Sequence, residues 1–214
     1  MGANAYLSDV ATYGYNNSNV SAATHVIAWQ PVPGKPGKRL AILSYAATTG
    51  TLASAIVFQG ALGYTTVAVA AVSDATHIDV AAEPGPAAET FADQTAFPTN
   101  IMASGDYICI VMDNGTYMFN RVTTWTLGSL AMSISTAITQ PLSVGARIYN
   151  LGLRSDFRHP RRMLTVTNTS CTDKNDPFLV ACNIKGSPMI VSVGAVGSAG
   201  QCAIDLLQVG YFTV

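Results

Sequence analysis

Short apolar segments, cut at close intervals by glycine, threonine or aspartate, set the strongest limit on what this chain can fold into. Residues 40–45, 53–58, 66–72 and 77–80 follow one another with no charged side chain between Arg39 and Asp74. That spacing, with no apolar repeat at helical intervals, predicts successive strands of a sandwich or barrel. Further strands are expected at 25–29, 107–112, 116–122, 130–135, 143–151, 163–169, 178–184, 189–193 and 202–214. The loop around Pro31, Pro33, Gly34, Pro36 and Gly37 interrupts regular structure, and 81–100, with Pro84, Pro86 and Pro98, reads as an irregular excursion. Asn114-Gly115, between two apolar runs, predicts a hairpin with a two-residue turn.

Several of these strands are apolar on both sides. In 107–112, Tyr107, Cys109 and Val111 alternate with Ile108, Ile110 and Met112, and 40–43 and 55–58 are similarly two-sided. Each face of such a strand must be covered. The sequence offers almost no amphipathic helix as cover, so a second sheet and a neighbouring subunit are the expected sources.

Composition points the same way. Only 11% of residues are charged, against roughly 25% in an ordinary soluble domain. Mean hydropathy is +0.31, which predicts apolar surface placed against another subunit. A net charge of -1 gives no general attraction to nucleic acid or anionic lipid. The uncharged stretch after Arg39 is broken by Gly50, Gln59, Gly60 and Gly63 into runs too short for a spanning helix. The expectation is therefore a protein with neither nucleic-acid nor membrane partners. The first residues, Met1 to Tyr6, do not read as a secretory leader, and Tyr6 stands where a myristoylation signal needs Ser or Thr. Cys109, Cys171, Cys182 and Cys202 lack metal-ligand spacing and read as reduced core thiols, with a Cys171–Cys182 bridge as the alternative.

The organisation expected is an N-terminal arm over 1–22 and a β-sandwich or jelly-roll-like barrel over 23–214. In the arm, Tyr6, Tyr13 and Tyr15 are interleaved with Asn and Ser. Large rings with few torsions to freeze suit docking on a neighbour; the alternative is a terminus packed loosely on its own domain. Residues 38–43 and 161–166 echo each other, a basic pair leading into a strand, which suggests two related β halves with a subdivision near 140–158. Arg154, Arg158, His159, Arg161 and Arg162 put four of the eleven basic residues in one connection. They suit bidentate contact with a carboxylate-rich partner, or pairing with Asp156 and other local acids.

Catalysis finds little support. There is no G-x-S-x-G elbow, and Ser198 sits in a glycine-rich turn. Both glutamates, Glu83 and Glu89, fall in one Pro/Ala loop, and most aspartates occupy turn positions. His25, His77 and His159 are scattered, and Asp173, Asn175 and Asp176 lack the ligand spacing of a calcium loop. No enzyme, cofactor or metal is expected. Trp29 and Trp125 suit core or interface packing better than a sugar platform.

The segment Thr124-Trp125-Thr126-Leu127-Gly128-Ser129-Leu130-Ala131-Met132-Ser133-Ile134-Ser135-Thr136-Ala137-Ile138, followed by Gly145-Ala146-Arg147-Ile148-Tyr149, resembles a pattern of tailed-bacteriophage virion proteins, especially capsid decoration (cement) proteins. The likeness spans roughly 30 residues. It implies a β-rich, non-catalytic subunit, often trimeric, made in the host cytoplasm and placed on the capsid exterior. Its partners would be the major capsid protein, or another virion subunit, and its own copies. The alternative is a receptor- or glycan-binding β module of a tail or spike.

Overall fold

Strands dominate because the segments just described are apolar at every position or every second one and end at turn-forming residues. The computed structural model describes residues 6–20, 28–49, 54–61, 63–83, 102–152, 162–166, 171–174, 178–179, 184–195 and 200–213. Among these residues the fold is all-β. The strands, in chain order, are β1 (Tyr6–Val20), β2 (Ala28–Val32), β3 (Lys38–Thr49), β4 (Ser54–Gly60), β5 (Gly63–Thr66), β6 (His77–Asp79), β7 (Tyr107–Val111), β8 (Tyr117–Thr126), β9 (Ala131–Ile134), β10 (Arg147–Gly152), β11 (Arg162–Val166), β12 (Cys171–Lys174), β13 (Phe178–Leu179), β14 (Met189–Ala195) and β15 (Gly200–Thr213). One 3-10 turn, Leu127–Ser129, follows β8.

The chain forms two compact units. Unit 1 comprises 1–60 and 161–214, and unit 2 comprises 61–160. The second is thus inserted into the first. The echoing segments at 38–43 and 161–166 both belong to unit 1, but to different sheets.

Unit 1 contains two antiparallel sheets. One has the order β1-β15-β3-β12, with β13 also paired to β3; the other has the order β11-β4-β14-β2. Strand β3 is internal, with β15 along one edge and β12 and β13 pairing Tyr45–Thr48 and Ala41–Ile42 on the other. Its Leu40, Ala41 and Ile42 are at most 2% exposed, which meets the expectation of cover on both faces. Across the ladder, Leu207, Val209 and Tyr211 of β15 lie in register with Tyr45, Ile42 and Leu40, and all six are buried. Gly210 is packed so closely that an added Cβ would sit 2.8 Å from Leu7 and 3.0 Å from Leu43.

Two features of unit 1 depart from the sequence expectation. Residues 6–20, read as an arm without strand periodicity, form the 15-residue strand β1. It pairs with β15 from Tyr6↔Thr213 to Val20↔Gly200, through three irregularities in register. Bulges let a sequence without strict alternation stay paired, which is why a periodicity search passes over it. Strand β2 also runs past the expected stop at Trp29 and includes Pro31. It is an edge strand, paired only to β14 among the described residues, the position in a sheet where proline is tolerated.

Unit 2 is a six-stranded sheet of order β5-β10-β7-β8-β9-β6. One face carries Ile108, Ile110, Val122 and Ile148, packed with Val67, Ile78, Val80, Met102, Met132, Ile134, Ile138 and Leu142 in one buried cluster. In β7 the alternate residue Cys109 is also fully buried, and its cross-strand neighbour Tyr149 is buried too. Both faces of this strand are therefore covered. Burial pushes the Cys109 thiol well above its usual range, as expected of a reduced core cysteine. Cys171 and Cys202 lie in strands, and Cys182 is outside the described residues.

The β7–β8 hairpin is present, but its loop has three residues. Met112 N–H donates to the Thr116 carbonyl at 2.8 Å, and Gly115 N–H donates to the Met112 carbonyl at 2.8 Å. Gly115 has φ +81°, whereas Asn114 is not among the residues with positive φ. Asp113, Asn114 and Gly115 thus form a turn closed by a left-handed glycine, the three-residue alternative to the two-residue loop.

Candidate contact surface

Strand β1 has β15 on one side and no hydrogen-bonded strand on the other among the described residues. An edge of 15 residues presents a long row of backbone donors and acceptors. Its one charged side chain, Asp9, is held by the chain itself through an ion pair with Lys35. The hydrogen bond from Lys35 holds the Asp9 carboxyl below its usual range. The Lys35 ammonium also lies 4.4 Å from the centre of the buried Tyr211 ring. Tyr211 donates to the Pro33 carbonyl at 2.8 Å, and its hydroxyl is 3.3 Å from that of Tyr13. Since the single Tyr211 proton goes to Pro33, Tyr13 is the donor in the second contact.

Tyr13 is accordingly half-buried and turned onto its own sheet. Tyr6 and Tyr15 occupy β1 and pair with Thr213 and Ile204, and their side chains are outside what is described. Of the arginine cluster, Arg162 opens β11 opposite Phe58, while Arg154, Arg158, His159 and Arg161 lie outside the described residues. The structure therefore does not bring the tyrosine and arginine sets together into one described surface.

Sequence reasoning passed over a different group. Leu7 and Val10 on β1 are 50% and 47% exposed, and in unit 2 Val69, Val72, Leu127 and Val144 are 59%, 73%, 45% and 65% exposed. Val69 and Val72 fall in 66–72, read as a strand, but β5 ends at Thr66. Beyond it the backbone keeps only bridges, Val67↔Val80 and Ala71↔Leu142. Reciprocal bonds of 3.0 and 2.8 Å between Ala71 and Leu142 tie that loop to the one carrying Val144. Valine at the bends looks like a strand residue in any propensity reading, so no local signal separates these positions from the core.

On unit 2, Arg147 lies 4.4 Å from the centre of the Tyr64 ring and 5.8 Å from that of Tyr149, and donates to the Tyr149 hydroxyl at 3.2 Å. Tyr117 is pushed up to about 12, first by burial and then by Tyr149 and Cys109, with Arg147 opposing. Trp125 is partly buried and packs on the core cluster, not on an open platform. Trp29 lies in β2 and its side chain is not described. Among the described residues no group of three or more metal-ligating side chains converges. No helix there is long and apolar enough to cross a membrane, which says nothing about strands.

No protein-family model matches the chain, and no curated protein does. Among solved structures, the chain is similar to VP17, a capsid protein of bacteriophage P23-77, at 9% identity over 99% of this chain and 100% of that one, with a TM-score of 0.24. The VP16–VP17 complex of the two major capsid proteins of the same phage matches at 8% identity, over 94% and 99% of the respective chains, with a TM-score of 0.24. The infectious bursal disease virus VP2 subviral particle matches at 12% identity over 96% of this chain and 41% of that one, with a TM-score of 0.15.

Proposed function

We propose that this chain is a non-catalytic structural subunit of a phage virion, which decorates and stabilises the capsid by binding the major capsid protein and its own copies. The observation that carries the reading is the set of exposed Leu and Val side chains on both units, in a chain with so few charges. Covering each such side chain on association contributes on the order of 1 kcal/mol. A broad contact of many small terms suits a subunit that holds neighbours in place. The resemblance over 124–149 gives the virion setting, and the edge of β1 that has no partner strand among the described residues offers backbone pairing to an incoming strand. The glycan-binding alternative is weakened because Trp125 packs inward.

The test is light scattering on the purified chain, with co-sedimentation on capsids that lack it. The expected result is a defined oligomer, a trimer by the resemblance, that co-sediments with the particles. Val69→Asp/Val72→Asp, both at exposed positions, should reduce association about tenfold or more without changing the unfolding temperature, since desolvating a charge in a contact is costly. A chain that stays monomeric and ignores the particles would overturn the reading.

A further inference from the structure

Asn114-Gly115 is the one Asn-Gly pair in the 214 residues, and asparagine before glycine is the pair most open to intramolecular attack, because glycine has no side chain to shield its amide nitrogen. We propose that Asn114 is a spontaneous deamidation site whose reaction is held back by the folded turn. In the reaction the Gly115 backbone nitrogen gives up its proton and attacks Cγ of Asn114. The N–Cγ bond forms, the Cγ–Nδ2 bond breaks, and ammonia leaves. Water then opens the five-membered succinimide at either carbonyl, yielding aspartate or isoaspartate.

Both reacting groups are engaged in the fold. The Gly115 N–H donates to the Met112 carbonyl at 2.8 Å. The Asn114 side-chain oxygen accepts from the Thr116 backbone N–H at 3.0 Å and from the Thr116 hydroxyl at 2.7 Å. The carboxamide is thereby drawn toward Thr116, and the nucleophile is committed to the turn. Solvent is not the restraint. Asn114, Gly115 and Thr116 are all exposed, and nothing lies within 4 Å of where a Gly115 Cβ would sit. The barrier is the local opening needed to free the Gly115 amide and release the carboxamide.

The two products differ in consequence. Aspartate keeps an oxygen for both Thr116 bonds, so the turn survives. Isoaspartate adds a backbone methylene inside a three-residue loop, which breaks its closure on Met112. It also displaces the adjacent Asp113, whose carboxylate accepts from Ser143 N–H at 3.1 and 3.2 Å and from Ser143 Oγ at 2.6 Å.

The experiment is peptide mapping by mass spectrometry of the full chain incubated at about pH 8, folded and in urea. Expected is Asn114 as the leading site in urea and a rate about tenfold slower or less in the folded chain, set by turn opening. Thr116→Val, which removes the hydroxyl bond but keeps the β-branched shape, should raise the folded rate severalfold and leave the urea rate unchanged. Equal rates in the two states, another asparagine reacting first in urea, or a folded Thr116→Val chain with the wild-type rate would each overturn the proposal. If the variant fails to fold, the wild-type comparison alone decides.

Discussion

Asn120 shows how much one buried amide can hold. Its side chain is 3% exposed; Nδ2 donates to the Thr136 carbonyl at 2.6 Å, and Oδ1 accepts from Ser135 Oγ at 3.0 Å and Thr136 N–H at 3.1 Å. It joins β8 to the loop after β9. Asn120→Ala should lower stability by about 1–3 kcal/mol, because it removes several hydrogen bonds worth roughly 0.5–1.5 kcal/mol each; urea unfolding measures it. At Tyr117 the neutral phenol is favoured in the fold, with a folded value of about 12 against 10.0 for the free group. Stability due to that shift is fully present below pH 10.0 and is lost as pH rises toward about 12, where the unfolded chain ionises first. The drop in unfolding temperature across that window should be smaller in Tyr117→Phe. Cys109, in contrast, owes its raised value to burial alone, so its thiol should gain no reactivity in the same range.

Among the elements, those legible in the sequence were those with dense apolar runs and strong punctuation. The hairpin of β7 and β8, the alternation at Met132 and Ile134, and the two-sided burial of β3 and β7 are where periodicity placed them. The departures share one cause, backbone geometry that side-chain patterns do not encode. β1 is kept by bulges, β2 keeps its proline because it is an edge, and the loop at Asn114 takes a third residue because only Gly115 goes left-handed. The candidate contact residues were less legible still. Val69 and Val72 fall in the expected strand 66–72 and Val144 in the expected strand 143–151; because β5 ends at Thr66 and β10 begins only at Arg147, all three sit in loops. The tyrosines were legible as large rings, but not that Tyr13 would close onto Tyr211.

For the molecule as a whole, the nested arrangement of units could not be read from linear order, since nothing in the composition marks residue 61 as the point where one unit gives way to the other. What decides it is pairing across a long gap. β4 ends at Gly60 and β11 begins at Arg162, and these strands run antiparallel with Phe58 opposite Arg162 and Ser54 opposite Val166. The core cluster described for unit 2 is built entirely from residues of 61–160. Replacing 61–160 by a short Gly/Ser connection should therefore leave a unit 1 that unfolds cooperatively, as circular dichroism and calorimetry would show. Loss of cooperative unfolding would mean that unit 1 depends on the insert.

Because the two ends of the insert leave from facing partners in one ladder, the break they make in unit 1 is no wider than a hairpin bend. A segment inserted at that point can lengthen, shorten or change its loops without forcing any strand of unit 1 to shift register. Substitutions at the exposed Val69, Val72 and Val144 can thus accumulate while the ladder from Tyr6 to Thr213 stays as it is.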